Sequence, residues 1–167
     1  MSLTIYQGDM LNLPVDALVS AANTRLKASG GLAKAIANRA GKAFREECGR
    51  TKGCRLGEAV VTSGGDLQAG YVVHVPTVNA WMWRASLAQI ATGTRSALRA
   101  AKARGIRSIA FPLLGTGHAG LKPRPAIETM LQVFNEPDFD ELEITLCVYT
   151  EKHLGLVQAC LGFKSET

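Results

Sequence analysis

The chain of 167 residues carries a formal net charge of +5, is 47% hydrophobic and 20% charged, and has four cysteines. These values fit one globular domain spanning residues 1–167 and exclude a disordered chain or a disulfide scaffold. No run reaches the roughly 18 apolar residues of a spanning helix, and Met1 to Thr4 show no basic or apolar leader, so the expected location is the cytoplasm.

The basic balance favours an anionic partner, although no Lys/Arg run is dense enough to specify nucleic acid. The cysteines, Cys48, Cys54, Cys147 and Cys160, form no C-x-x-C pair. No metal site is expected, and Cys147 and Cys160 read as buried thiols.

Leu3 to Tyr6 alternates and is β-rich, a first strand that Gly8-Asp9 breaks. Val15 to Ser20 is a second, apolar strand. Small residues follow to Asn23, then a loop from Thr24 to Ser29, then Gly30-Gly31. Beyond the pair, Leu32, Ala35, Ile36, Ala40, Ala43 and Phe44 repeat with a helical period, which predicts one helix with Gly49 and Gly53 past its end. Glu58 to Ser63 holds a third strand, and Gly64-Gly65-Asp66 a turn. Tyr71 to Val75 is a fourth strand, ended by Pro76.

A long helix is predicted from about Trp83 to Arg104, stopped by Gly105. Ser108 to Leu114 is a fifth strand with an irregular end at Pro112. A helix starts at Pro123 or Pro125. Glu143 to Thr150 is the last strand, and Leu154, Val157, Cys160 and Leu161 mark a final helix. The alternation predicts a layered α/β domain, with apolar central strands covered on both faces. Ligands in such sheets bind beyond the carboxyl ends of the strands. Three segments qualify: Ala21–Gly31, Gly115–Gly120, and the residues after Tyr149.

Gly30-Gly31 opens a helix with little side-chain bulk, a geometry suited to an anion because the first N–H groups lack partners. An ordinary strand-to-helix turn fits the same residues. Gly115 to Gly120 matches G-x-G-x-x-G, so a dinucleotide-binding oxidoreductase is one reading, with Asp138 or Asp140 as its acidic residue. Against it, the motif follows the fifth strand and not the first. What remains is a backbone cradle for phosphates. His74 reads as a core or lining histidine and His153 as a solvated one. Trp81 and Trp83 read as packing or as a partner patch.

Taken together, several stretches resemble a macrodomain, the family of ADP-ribose-binding modules. They are Gly8-Asp9-Met10, Val15 to Asn23, Leu26, Gly30-Gly31-Leu32-Ala33, Val73 to Pro76, Phe111 to Gly120, and Val148-Tyr149-Thr150. The resemblance implies a three-layer α/β/α sandwich around a mixed sheet of about six strands, with a crevice for ADP-ribose and no cofactor. It implies that Asp9 accepts from the adenine amino group, with the Met10 backbone beside it, and that Tyr149 stacks on the base. Asn23, Gly30 and Gly31 would meet the distal ribose, and Ala21 and Leu32 would also touch the ligand. Gly115, Thr116, Gly117, Ala119 and Gly120 would wrap the diphosphate. His118-Ala119 stands where the family more often has a bulky pair; His118 could cap the distal ribose, titrate near neutral pH or face water, and contact without catalysis is the favoured reading.

The resemblance leaves two functions open: a reader of free or protein-linked ADP-ribose, and a hydrolase that removes mono-ADP-ribose from an acidic side chain of a protein or processes related ADP-ribose metabolites. One hydrolytic branch has an aspartate just after the glycine pair, where this chain has Leu32-Ala33. Another branch, similar to viral macrodomains, uses the ribose-site asparagine and an ordered water, which makes Asn23 the candidate catalytic residue. Lys27 and Lys34 stay open as bases. Binding of poly(A) or single-stranded RNA is a third reading, resting on the charge and the adenine site.

Overall fold

The computed structural model describes residues 2–28, 30–79, 81 and 84–162. Chain order is β1 (Ser2–Gln7), β2 (Ala17–Asn23), α1 (Gly31–Ala40), α2 (Lys42–Arg50), β3 (Val60–Ser63) and β4 (Tyr71–Val78). It continues with α3 (Leu87–Ala103), β5 (Ser108–Phe111), α4 (Pro123–Phe134), β6 (Glu143–Val148) and α5 (Glu151–Cys160). The strands form one six-stranded sheet in the order β1-β6-β5-β2-β4-β3. All neighbours are parallel except β3, which runs antiparallel to β4 at the edge.

Period-2 alternation along the central strands sends side chains to both faces. Ala17, Val19, Val73, Val75, Ile109 and Phe111 pack in one core with Ile90, Leu98, Ile127 and Met130 of α3 and α4. Leu18, Val72, Ala110 and Cys147 pack in a second core with Ile36, Ala37, Ala40 and Phe44 of α1 and α2. The two cores give the expected three layers. Each fully buried large side chain contributes roughly 1.5–3 kcal/mol, so the layers hold mainly by apolar burial.

Several elements depart from the sequence reading. The helix read through Phe44 is two helices, broken at Gly41 with φ +91°. A Cβ there would lie 2.5 Å from Asp66 Oδ2. Both helices face the same core, so the apolar period runs on across the break; Gly49 lies inside α2 and not beyond it. Strand β2 runs on to Asn23, and β4 continues through Pro76 to Val78. Pro76 is tolerated because β3 pairs with β4 only as far as His74, so that side of the strand needs no further N–H donor. On the other side the pairing with β2 shifts register between Ala22 and Asn23.

Helix α3 begins at Leu87, capped by Ser86, whose Oγ accepts from the Gln89 N–H at 3.2 Å. Trp83, the predicted start, lies outside the described residues, as do Met1 and Ser29. Strands β5 and β6 end at Phe111 and Val148, leaving Pro112–Leu114 and Tyr149–Thr150 as loop. Cys160 is only partly buried, whereas Cys147 is fully so. Because the sheet is parallel apart from β3, the ends of β2, β4, β5 and β6 share one rim.

Candidate functional site

The rim is built first by the turn after β2. Asn23 ends that strand and organises the turn from within: its Oδ1 accepts from the N–H groups of Arg25 (3.0 Å) and Lys27 (3.2 Å), and its Nδ2 donates to the Lys27 carbonyl (3.1 Å). Leu26, buried beneath, is held at φ +56°, a left-handed conformation unusual for a branched side chain. The chain then reaches Gly30-Gly31, where a Cβ would meet nothing within 4 Å. Helix α1 starts here without a side-chain cap. The N–H groups of its first turn have no intrahelical acceptor and carry the positive end of the helix dipole.

The second wall is the loop after β5. Gly115 has φ +79°, and a Cβ on it would sit 2.7 Å from Leu121 Cδ1 and 2.9 Å from Ile90 Cδ1. The Leu121 N–H donates to the Gly115 carbonyl at 2.9 Å, and the Gly120 N–H to that of Gly117 at 3.2 Å. The Thr116 hydroxyl donates to the Leu113 carbonyl at 3.2 Å. The loop is thereby folded on itself, with Gly117 and His118 exposed.

Between the two loops lies a cavity of about 320 Å³. Ala21, Asn23, Gly30, Gly31 and Leu32 line one side, and Gly115, Thr116, Gly117, His118 and Ala119 the other. Tyr149 stands at one end, 53% exposed. A shallower groove continues past it, sharing Gly31, Leu32 and Tyr149 and adding Asp9 and Arg39. The Gly8 N–H donates to the Val148 carbonyl at 3.0 Å, which sets Asp9 beside Tyr149. Burial, and then the Asp9 carboxylate, raise the Tyr149 hydroxyl above its ordinary pKa. Asp9 itself caps a short turn, accepting from the Leu11 N–H at 2.9 Å, and lies 3.8 Å from Arg39.

Thirteen of the fourteen residues singled out in the sequence are thus accounted for along one crevice or its supports, with Met10 the exception. Its side chain is fully buried against α1, and Met10 lines neither the cavity nor the groove; the contact expected of it is through its backbone, which burial of the side chain does not oppose. Gly120 also lines neither; it closes its own loop. The sequence reading missed Thr77, Val78 and His153 in the cavity wall. Thr150 caps α5, accepting from the His153 N–H at 3.2 Å, and His153, read as solvated, is half-buried at the cavity wall.

Lys27 lines the cavity and Lys34 does not. Among the described residues no carboxylate lines it, and the Cys147 thiol in its floor is pushed by burial up to about 12. The floor therefore offers neither a carboxylate base nor a thiolate. The first turn of α1 and the backbone of Gly115 to Ala119 both border the cavity, an arrangement that suits a diphosphate, while an aromatic ring and a carboxylate stand at one end.

The dinucleotide-fold reading of Gly115 to Gly120 fails on topology. The strand order is not that of the dinucleotide fold, and Asp138 and Asp140 precede β6, at the sheet end opposite the cavity. His74, expected as core or lining, is buried and hydrogen-bonded to the Thr62 hydroxyl at 2.8 Å.

The family model described as Macro domain matches residues 19–130. A macro domain-containing protein of Ralstonia nicotianae is 34% identical over 166 residues, covering 97% of this chain and 95% of that protein. The ADP-ribose glycohydrolase MACROD2 of Homo sapiens is 35% identical over 155 residues, 89% of this chain but 36% of its own, so the chain spans about a third of that relative. A Trypanosoma brucei macrodomain solved in complex with ADP-ribose superposes with a TM-score of 0.86 at 31% identity, over 96% of this chain and 69% of that one.

Proposed function

The chain belongs to the macro domain family, and from that membership we propose that its crevice binds ADP-ribose, free or attached to protein. The observation that carries the reading is the meeting of two glycine loops and Tyr149 around one cavity at the carboxyl ends of the strands. A diphosphate fits the amides of the α1 terminus and of Gly115 to Ala119. Adenine fits the groove between Tyr149 and Asp9, where a ring can stack and a carboxylate can accept from an amino group. The distal ribose then faces Asn23, Gly30 and His118.

Calorimetric titration tests this. ADP-ribose binds more tightly than ADP or AMP, because only it reaches the distal pocket. Asp9→Ala weakens ADP-ribose and AMP alike, about tenfold, by removing one charged hydrogen-bond acceptor. AMP binding as well as ADP-ribose would overturn the reading.

Hydrolysis of protein-linked ADP-ribose is a second reading, supported by the human glycohydrolase relative and by Asn23 in the cavity wall. With no carboxylate lining the cavity, an attacking water would be held by the Asn23 amide and the ligand's own phosphate. Release of ADP-ribose from a mono-ADP-ribosylated test protein, lost in Asn23→Ala while binding persists, supports it. Binding without release by the unaltered chain leaves a reader.

A further inference from the structure

The connection between β4 and α3 carries Trp81 and Arg84 among its described residues. Near its start, Trp81 lies beneath Arg25, with the guanidinium carbon 5.5 Å from the indole centroid. The Trp81 N–H is fixed on Asn79 Oδ1 at 2.9 Å. Near its end, the Ala85 N–H donates to the Ala119 carbonyl at 3.1 Å, which sets Arg84 beside the second glycine loop. Trp81 is 83% exposed, and Arg25 and Arg84 are exposed as well. Among the described residues neither arginine lies within salt-bridge distance of a carboxylate.

An indole left in water is an unfavourable use of a large apolar side chain. Stacked on a guanidinium, it is also partly ordered before any partner arrives, which lowers the entropy lost on association. Trp and Arg are the side chains that most often dominate interface energy. Arginines without carboxylate partners supply the complementary charge for an acidic chain. The location matters too: the Arg25 N–H donates to Asn23 Oδ1 at 3.0 Å, so this surface begins beside a residue of the cavity wall.

We propose that Trp81, Arg25 and Arg84 form a docking surface for an acidic polypeptide segment, the stretch of an acceptor protein that flanks its ADP-ribosylated residue. The inference rests on ADP-ribose occupying the crevice, and it adds that the protein part of the substrate is also read. None of the three residues lines the cavity or its groove, so binding of the nucleotide and selection among modified proteins are separable.

The test uses the whole chain and two mono-ADP-ribosylated peptides of equal length and identical linkage, one with Asp and Glu flanks and one with Ser and Gln flanks. The acidic peptide binds about tenfold more tightly at low salt, as a few exposed charge pairs allow, and the margin shrinks as salt rises. Trp81→Ala combined with Arg25→Ala abolishes the margin and leaves affinity for free ADP-ribose unchanged. Equal binding of the two peptides by the unaltered chain overturns the proposal, as does a margin that survives the double substitution. Oligoadenylate binding that falls in the double variant, with the peptides bound alike, assigns the surface to single-stranded nucleic acid instead. Failure of free ADP-ribose to bind at all overturns the underlying reading, and this surface with it.

Discussion

At the scale of single residues, the two glycines of Gly115-Thr116-Gly117 do different work. A Cβ on Gly115 meets Leu121 and Ile90 side chains at under 3 Å, in a left-handed backbone with φ +79°. A Cβ on Gly117 meets nothing within 4 Å, and Gly117 lines the cavity. Gly115→Ala therefore lowers unfolding stability by about 1–3 kcal/mol, through strain and overpacking. Gly117→Val leaves stability within about 0.5 kcal/mol and weakens ADP-ribose binding by crowding the cavity. Urea unfolding and calorimetry on the two variants check the split; equal loss of stability in both would refute it. The motif was legible in the sequence, but not this division, because a shared G-x-G spelling hides which glycine faces the core. Asn23 was legible as a residue of the crevice, while the three hydrogen bonds by which it braces its own turn were not.

Among the elements, legibility tracked how local the determining contact was. The Ser86–Gln89 spacing is a capping-box pattern that would have placed the start of α3, since the cap lies within four residues. The break at Gly41 depends on Asp66, distant in sequence, so periodicity alone could not reveal it. The placement of His74 on β4 carries a consequence for acid stability. It is 4% exposed, stacks on Phe44 of α2 with centroids 5.8 Å apart, and burial lowers its pKa from 6.5 to about 4. In the unfolded chain it takes a proton near pH 6.5; in the folded chain it does not until about pH 4. Between those values the unfolded state binds more protons, so stability falls as pH falls, by about 3 kcal/mol across the window. His74→Gln, which keeps a polar atom for Thr62 and cannot titrate, is less stable at pH 7 and loses less between pH 7 and pH 4.5. Urea midpoints at both pH values decide it, and an unchanged loss would show that other groups carry the acid sensitivity.

For the molecule as a whole, the order of the strands was beyond the sequence. β1 pairs with β6, near the opposite end of the chain, through contacts that no local pattern records. The rule that ligands gather at strand carboxyl ends was nonetheless enough to nominate three loops, because a parallel sheet brings those ends together whatever the order. The net charge of +5 bears on what happens there. If surface cations held the diphosphate, affinity would fall steeply with salt, as it does for nucleic acid. In this crevice two glycine loops form the walls, and Lys27 is the one lysine or arginine among the described residues lining the cavity. Binding from 50 to 500 mM salt should therefore weaken only several-fold, the charge serving encounter more than retention. A thermal melt reads the same quantity. At a concentration near 100 times the dissociation constant, ADP-ribose adds about 2.7 kcal/mol and raises the melting temperature by roughly 5–10 °C. That shift should survive high salt, whereas a shift that vanishes by 500 mM would mean that lysine and arginine side chains, and not the glycine loops, hold the ligand.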